Sequence, residues 1–340
     1  MQRALSILFN VFTFLTFICL TSTTTTANEV AYLSNQDGDI ELYVLTKDSK
    51  KPKQITHDSL DDMAPCINSD GEAYVTIGRT KTRNYVKISN KNGKLIKKIM
   101  PTTGLVTSLA CFRSKNQIVY SISTDDTHKV AIANLTTSEE NVVYEGPNSI
   151  QSLQPNNAMT HIAFIENIGR TSNLKILNLK TNDTDTFFND KKYTIADFDW
   201  SPDNKQLIVS AKNERKFNLW IVNLEKNTQQ QWTDSPTIDT SPKYSPSGLE
   251  VAWLSNELDG TRLQIVLSKA HKPEPKAITE KGVEVRDVAW ATDNKSLIYS
   301  AYRDKQFRLF EYVLETKTEQ KIAPNGQNFQ IMPFFIPNNN

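Results

Sequence analysis

Histidine is the side chain best suited to proton transfer and metal binding near neutral pH, and the chain contains four of them. They lie far apart in the sequence, at His57, His128, His161 and His271. No His-x-His, His-x-x-x-His or Cys-x-x-Cys spacing brings two ligands together. A metal site needs three or four ligands that converge on one ion, so we predict no metal site and no cofactor.

Paired carboxylates form the second group that could do chemistry, either as general acid and base or as calcium ligands. Such pairs occur three times, at Asp37 with Asp39, at Asp61-Asp62 and at Asp125-Asp126. Most of them lie in polar loop segments, where Asp and Gly favour turns. Asp61 and Asp62 differ because they directly precede a predicted strand, and we expect them to line the mouth of a channel.

The elements that would position these groups form a repeat. Short apolar segments rich in Val, Ile, Tyr, Phe and Trp alternate with turn residues roughly every 8 to 12 positions, which is typical of an all-β chain. One such segment returns seven times, six times with an aromatic residue at its centre. The central residues are Tyr32, Tyr74, Tyr120, Phe164, Val209, Trp253 and Tyr299, spaced by 42, 46, 44, 45, 44 and 46 residues.

Each copy has the same neighbours, which together make a unit of four short strands. A strand that ends in a turn comes before it, as in DWSPDN at 199–204. A third strand follows, such as NLWIV, and then a fourth, such as QQQW at 229–232. Four strands within a period of about 40–45 residues make one propeller blade. The repeat therefore predicts an all-β fold, a seven-bladed β-propeller of four-stranded antiparallel blades.

The two ends of the chain complete each other. Glu29 opens the second strand of a unit with no first strand before it, and residues 328–340 have the pattern of a first strand with nothing after it. We therefore expect 329–337 to pair with the unit 29–57 and close the ring. The predicted single domain is 28–340, with blades at 28–57 plus 327–337, 61–100, 104–145, 148–190, 193–235, 237–280 and 283–325.

Residues 1–27 have the pattern of an export signal, with Arg3, an apolar stretch from Ala4 to Leu20 and a Thr-rich segment that ends at Ala27. We predict cleavage before Asn28 and a periplasmic or secreted protein without a stable membrane span; the alternative is an uncleaved anchor. Without Arg3 the chain carries 38 Lys and Arg against 38 Asp and Glu. Zero net charge argues against a nucleic-acid binder or a general membrane binder.

Two cysteines, Cys66 and Cys111, follow the export signal. The repeat places them at equivalent positions in the first strands of consecutive blades. Equivalent side chains point to the same side of their own blades, so one sheet would separate them, and sheets stack about 10 Å apart. A disulfide needs Cα atoms within roughly 7 Å. We predict two buried thiols, with a disulfide as the alternative.

In such a propeller the loops between second and third strands share one face of the ring with the links between blades. Basic residues are in slight excess there. We expect this face to bind an envelope or periplasmic protein with acidic patches, or an anionic glycan; the alternative is a solvated loop surface. The candidate binding residues are Arg79, Lys81, Arg83, Arg170, Arg215, Asp61 and Asp62.

The unit resembles the WD-like repeat of the TolB family of bacterial periplasmic propellers. The similarity is clearest at PKYSPSGLEVAWLSNELDG, 242–260, and at VAYLSNQDGDIELYVLTKDSKKPKQIT, 30–56, and it extends over 28–340. It implies a β-propeller that acts as an interaction module in the cell envelope. TolB has an α/β domain ahead of six blades, whereas here seven repeats follow the signal directly, so the resemblance does not extend to a Tol–Pal role.

Together these features predict an exported, monomeric, non-catalytic propeller that binds a protein or another ligand. The alternative is a glycan- or peptide-processing enzyme, a lyase or hydrolase with carboxylates at the channel mouth. The sequence contains no Gly-x-Ser-x-Gly nucleophile motif. The non-enzymatic interpretation is therefore favoured.

Overall fold

Short strands with alternating burial dominate the chain and pair into separate sheets. The computed structural model describes residues 29–46, 51–80, 82–137, 139–213, 216–258, 260–323 and 328–336. Within these residues the chain forms seven four-stranded antiparallel sheets. The predicted all-β fold, a seven-bladed propeller, is thereby confirmed.

Each sheet is one blade, and its first strand lies innermost. Blade 1 has the order β28-β1-β2-β3, and blades 2 to 7 take the next strands four at a time. The strands of blades 1 to 3 are β1 Val30–Ser34, β2 Glu41–Leu45, β3 Lys53–Gln54, β4 Asp61–Ile67, β5 Ala73–Arg79, β6 Asn84–Asn90, β7 Leu95–Ile99, β8 Leu105–Cys111, β9 Gln117–Ser123, β10 His128–Asn134 and β11 Glu140–Gly146. Those of blades 4 and 5 are β12 Ser149–Pro155, β13 His161–Ile168, β14 Thr171–Asn178, β15 Thr184–Phe187, β16 Tyr193–Trp200, β17 Gln206–Asn213, β18 Lys216–Asn223 and β19 Thr228–Gln231. The remainder are β20 Asp239–Tyr244, β21 Glu250–Ser255, β22 Gln264–Lys269, β23 Lys272–Ala277, β24 Val285–Trp290, β25 Ser296–Arg303, β26 Gln306–Val313, β27 Thr318–Lys321 and β28 Gln330–Phe335.

The ring closes through the two ends of the chain. Strand β28 pairs antiparallel with β1, with Val30 opposite Phe335 and Ser34 opposite Gln330. The last strand thus becomes the inner strand of the first blade, as predicted. This pairing covers the edge that β1 would otherwise expose.

The core lies between neighbouring blades because both faces of each sheet are covered. The middle strands are buried along almost their whole length, for example β1 and β2 of blade 1 and β25 of blade 7. Trp253 and Tyr299 are essentially inaccessible to solvent. Each aromatic side chain of this kind removes roughly 150–250 Å² from water, so the aromatic column is a main source of the stability of the ring.

The prediction that Tyr74 belongs to the aromatic column is wrong. In blade 2, Thr76 pairs with Lys87. The equivalent pair in blade 3 is Tyr120 with Ala131. Thr76 lies 44 residues from both Tyr32 and Tyr120, so it occupies the column and Tyr74 does not. Tyr74 is two positions from Thr76. Because side chains alternate along a strand, both point to the same face, which explains why Tyr74 was assigned to the column.

The predicted pair of free thiols is also wrong, because Cys66 and Cys111 form a disulfide with their Cα atoms 5.8 Å apart. The Asn68 and Phe112 amides make the same turn hydrogen bond at the end of their inner strands. Cys66 precedes Asn68 by two residues, but Cys111 precedes Phe112 by one. This offset of one residue turns the two side chains to opposite faces, so they meet in the apolar cluster between blades 2 and 3.

Candidate binding groove between blades 2 and 3

The loops between second and third strands and the links between blades lie on one face of the ring, here called the upper face. Main-chain hydrogen bonds join these two kinds of segment. The Asp62 amide donates to the Ile40 carbonyl at 2.7 Å, and the Val285 amide donates to the Leu263 carbonyl at 2.8 Å. The loops and links therefore form one continuous layer.

A groove of about 270 Å³ opens on the upper face between blades 2 and 3. One wall is the loop between β5 and β6 and the other is the start of β8. Its polar lining combines two guanidinium groups with threonine hydroxyls and an amide, while its apolar lining comes from the inner strands. The lining residues are Met63, Arg79, Thr80, Thr82, Arg83, Asn84, Leu105, Val106 and Thr107.

A tight local turn presents the cationic wall of the groove. The Thr80 amide donates to the Arg83 carbonyl at 2.8 Å, and the Arg83 amide donates to the Thr80 hydroxyl at 2.7 Å. Threonine favours such turns because its hydroxyl can bond nearby backbone groups. The Asn84 side-chain amide donates to the Val106 carbonyl at 3.2 Å and joins the two walls.

The two arginines of this groove have an acidic neighbour but form no ion pair within the described part of the chain. Arg79 and Arg83 are exposed, and neither makes an ion pair there. Asp61 lies opposite Arg79 in the strand register, but its carboxylate accepts a hydrogen bond from the Ile40 amide at 3.0 Å. Two guanidinium groups with free donors suit a carboxylate, sulfate or phosphate group.

The structure gathers some of the predicted binding residues and separates others. Arg79 and Arg83 share the groove, and Asp61 lies beside them on β4. Arg170 is exposed in the loop between β13 and β14 of blade 4 and does not line the groove. Lys81 and Arg215 lie outside the described residues.

Asp62 is placed differently from its neighbour, because its side chain is buried against residues of β5 and β6. Its carboxylate oxygen Oδ1 lies 2.7 Å from the Lys87 ammonium and accepts a hydrogen bond from the Thr76 hydroxyl at 2.9 Å. The Lys87 ammonium also contacts Asp58 at 2.8 Å. Asp62 has no exposed surface, so it holds a buried cation rather than lining an open mouth, and a role for it in ligand binding stays a prediction.

Glu41 completes this buried cluster from blade 1. Its carboxylate accepts a hydrogen bond from the Asp58 amide at 2.8 Å. Burial raises the pKa of Glu41 from its ordinary value of 4.5 to about 8, and the charge of Asp62 adds to the increase. The Glu41 carboxyl group is therefore largely protonated at neutral pH.

Sequence reasoning missed a second charged cluster, on the inner strands of blades 5 and 6. The Lys243 ammonium lies 3.6 Å from Asp197, and Asp199 accepts a hydrogen bond from the Tyr244 amide at 2.8 Å. Burial raises the pKa of Asp199, although Lys243 opposes the increase. The 44 residues between Asp199 and Lys243 equal one repeat, so an alignment of the inner strands places them at equivalent positions, although equivalence alone does not show that they meet.

Within the described ranges, no group of three or more His, Cys, Asp or Glu residues is arranged to hold a metal ion. His128 and His161 make local contacts, with the Ser123 hydroxyl at 2.7 Å and the Thr160 hydroxyl at 2.9 Å.

Among the residues that the structure describes, no helix has the length and apolar character needed to cross a membrane.

Comparison with known proteins agrees with this architecture. The family model of the TolB beta propeller domain matches residues 159–340, which is more than half of the chain. The chain therefore belongs to the TolB beta-propeller family, as the repeat indicated.

Individual relatives are more distant and differ in activity. Dipeptidyl-peptidase 5 of Porphyromonas gingivalis is 25% identical over 150 residues, which cover 40% of this chain and 22% of that protein. TolB of Acinetobacter baumannii superposes with a TM-score of 0.60 at 11% identity, over 92% of this chain and 67% of that one. An oligogalacturonate lyase in complex with manganese superposes with a TM-score of 0.70 at 10% identity, over 85% and 87%. These structural likenesses show the shared fold alone.

Proposed function

We propose that the protein is an exported, non-catalytic propeller that binds an anionic partner through the groove between blades 2 and 3. The observation that carries this proposal is that two arginines, Arg79 and Arg83, line one cavity and make no ion pair with the described residues. Two cationic side chains that line a cavity and make no ion pair within the described residues are suited to bind an anionic group of a ligand.

The walls of this groove are held in place from below. The disulfide between Cys66 and Cys111 joins β4 and β8, the two inner strands that supply Met63 and Val106 to the groove. The bond from Asn84 to the Val106 carbonyl adds a second connection at the top. A preorganised site loses less entropy when it binds its ligand, which supports a binding role.

The export part of the proposal has two supports. Residues 1–27 have the composition of a signal segment. Disulfides form and persist in oxidising compartments such as the periplasm and the extracellular space, and the Cys66–Cys111 bond fits such a location. We propose a periplasmic or secreted monomer.

The binding proposal is tested by affinity capture from envelope extracts with the tagged protein. The double variant Arg79→Glu/Arg83→Glu should lose the captured partner, because reversed charges repel an anion. Lys212→Glu/Lys216→Glu, a charge reversal of equal size in blade 5, serves as the matched control and should retain it. Equal recovery with the wild type and with Arg79→Glu/Arg83→Glu would remove the groove from the binding function.

The cluster on the inner strands favours a second candidate, a glycan- or peptide-processing enzyme. Burial raises the pKa of Asp199 while Asp197 contacts the Lys243 ammonium. Two carboxyl groups in unequal environments can serve as acid and base. Turnover of polygalacturonate or of dipeptide nitroanilides that disappears in Asp199→Asn but not in Asp293→Asn would support this candidate, and no turnover by the wild type would count against it.

A further inference from the structure

The groove belongs to a much larger cationic region. Between Glu72 and Asp125 the chain contains no acidic residue, although the chain after residue 27 has equal numbers of acidic and basic residues. This segment forms β5 to β9 of blades 2 and 3. Its basic residues are Arg79, Lys81, Arg83, Lys87, Lys91, Lys94, Lys97, Lys98, Arg113 and Lys115.

Part of this positive charge is already paired inside the protein. Lys87 is buried against Asp58 and Asp62, and Lys91 pairs with Glu72 at 2.9 Å. Arg79 and Arg83 in the groove, and Lys94 and Lys97 at the outer end of the blade, make no ion pair with the described residues. Positive charge without an ion pair among the described residues therefore lies at the groove and on the rim of blade 2, and also at Arg113 and Lys115 of blade 3.

The rim of blade 2 is a sheet edge with exposed apolar side chains. Strand β7 is the outermost strand of its blade, so one row of its backbone groups has no partner strand among the described residues. Leu95, Ile96 and Met100 in or next to this strand are 43%, 59% and 53% exposed. An exposed apolar edge strand is a template for the addition of another strand.

The outermost strands of blades 5, 6 and 7 lack exposed apolar side chains. The outermost strand of blade 6, β23, carries Pro273 and Pro275, and proline cannot donate to a neighbouring strand. The outermost strands of blades 5 and 7 have the polar sequences TQQQ and TEQK. The sequence LIKKI of β7 contains no proline and combines apolar residues with two lysines. Lysines on an edge disfavour pairing with an uncharged or basic strand, so an acidic strand is the matching partner.

The C-terminal end of β7 lies near the groove. Ile99 pairs with Val86, two residues along β6 from the groove residue Asn84. The link that follows β7 runs from Met100 to Gly104 and leads to Leu105 of β8, which is 40% exposed and lines the groove. The exposed edge, the apolar side chains and the two guanidinium groups thus form one continuous surface.

We propose that the partner is an extended acidic polypeptide segment that adds to the edge of β7 and places a carboxylate between Arg79 and Arg83. This inference rests on the proposed binding function of the groove and identifies the chemical class of its ligand. An extended peptide supplies main-chain donors and acceptors for the edge, apolar side chains for Ile96 and Met100, and carboxylates for the arginines. An anionic glycan would meet only the last of these three requirements.

The test uses the full folded chain and three fluorescent probes: a twelve-residue peptide of alternating Glu and Val, its Lys and Val counterpart, and a polygalacturonate oligomer. Fluorescence anisotropy should show binding of the acidic peptide and not of the basic one. Arg79→Ser/Arg83→Ser and Ile96→Asp/Met100→Asp should each weaken it by about tenfold or more. Leu249→Asp, at a 70% exposed leucine of blade 6, is the matched control and should leave the affinity unchanged.

Hydrogen–deuterium exchange distinguishes strand addition from simple charge attraction. The acidic peptide should slow exchange of the amides in 95–100, because they gain hydrogen-bond partners. If the arginine variant loses the peptide while exchange at 95–100 and the Ile96→Asp/Met100→Asp affinity stay unchanged, strand addition is refuted and the groove function stands. Tighter binding of polygalacturonate than of the acidic peptide would overturn the peptide assignment. An arginine variant that binds both probes as the wild type does would refute both proposals.

Discussion

Lys87 shows how a single polar residue can be accommodated between two blades. It occupies a position that holds Tyr43, Trp220 and Phe310 in other blades. Its ammonium group is 2.7 Å from Asp62, and the absence of a side chain at Gly78 leaves room for its stem, since a Cβ there would lie 2.5 Å from the Lys87 Cδ. The pair is therefore supported by its immediate neighbours.

Lys87→Met should lower the free energy of unfolding by about 3–5 kcal/mol, because Asp62 would keep a buried charge without a counter-ion. The double variant Lys87→Met/Asp62→Leu should recover much of this loss, since it removes both charges. Urea unfolding at pH 7 gives both values. A single variant as stable as the wild type would show that the contact between Lys87 and Asp62 does not stabilise the folded protein.

The carboxyl group of Glu41 should make the stability of the protein depend on pH. Its pKa is about 8 in the folded state against 4.5 ordinarily, so the folded state binds the extra proton. The resulting stabilisation is complete below pH 4.5 and is lost as the pH rises towards and through 8, on the order of a few kcal/mol. Glu41→Gln should flatten this part of the stability curve.

The measurement is the urea midpoint of the wild type and of Glu41→Gln from pH 5 to pH 8.5. Glu72→Gln is the control, because Glu72 is an exposed partner of Lys91 and its replacement should leave the shape of the curve as in the wild type. Parallel curves for the wild type and Glu41→Gln would show that Glu41 does not take up the proton.

At the level of the strand, neighbouring inner strands are linked at similar points along their length. The Trp200 indole donates to the Gln154 carbonyl at 3.1 Å, between blades 4 and 5. The Trp290 indole makes the same kind of bond between blades 6 and 7, to the Lys243 carbonyl at 3.0 Å. Between blades 2 and 3 the disulfide of Cys66 and Cys111 provides this link. A covalent bond thus replaces a hydrogen bond in one gap of the ring.

Cys66→Ser/Cys111→Ser should lower the free energy of unfolding by about 2–4 kcal/mol, because the disulfide restricts the unfolded chain. Thermal unfolding of this variant and of the wild type with and without reductant measures the effect. Reductant should lower the wild-type midpoint towards that of the variant and leave the variant unchanged. A wild-type midpoint that is insensitive to complete reduction would contradict a stabilising role.

The repeat was sufficient to predict the blade count and the closure, since both depend on strand order and period. Register was harder to predict, because a shift of two residues keeps the same face, as Tyr74 and Thr76 show, while a shift of one reverses it, as with Cys66 and Cys111. The groove and the Asp199–Lys243 cluster depend on side chains of neighbouring blades meeting in space. A sequence pattern within a single blade contains no such information.

At the level of the whole molecule, the seven blades form a closed ring only because β28 covers β1. Ile331, Phe335 and Ile336 of the closing segment are buried, and the Ile336 amide donates to the Glu29 carbonyl at 2.9 Å. The bond pattern at this junction matches the turn bonds that end the other inner strands. Closure is therefore made of the same interactions as an ordinary blade.

Deletion of 328–340 should open the ring, because β1 would lose its neighbour and expose an apolar edge. We expect a lower unfolding midpoint together with dimers or larger species, since a free edge can pair with a second chain. Deletion of 337–340 alone keeps β28 and is the matched control, which should remain monomeric. Light scattering after size-exclusion chromatography and a thermal scan report both effects. A monomeric 328–340 deletion with the wild-type midpoint would mean that the first blade is stable as three strands and that pairing of the chain ends does not hold the ring together.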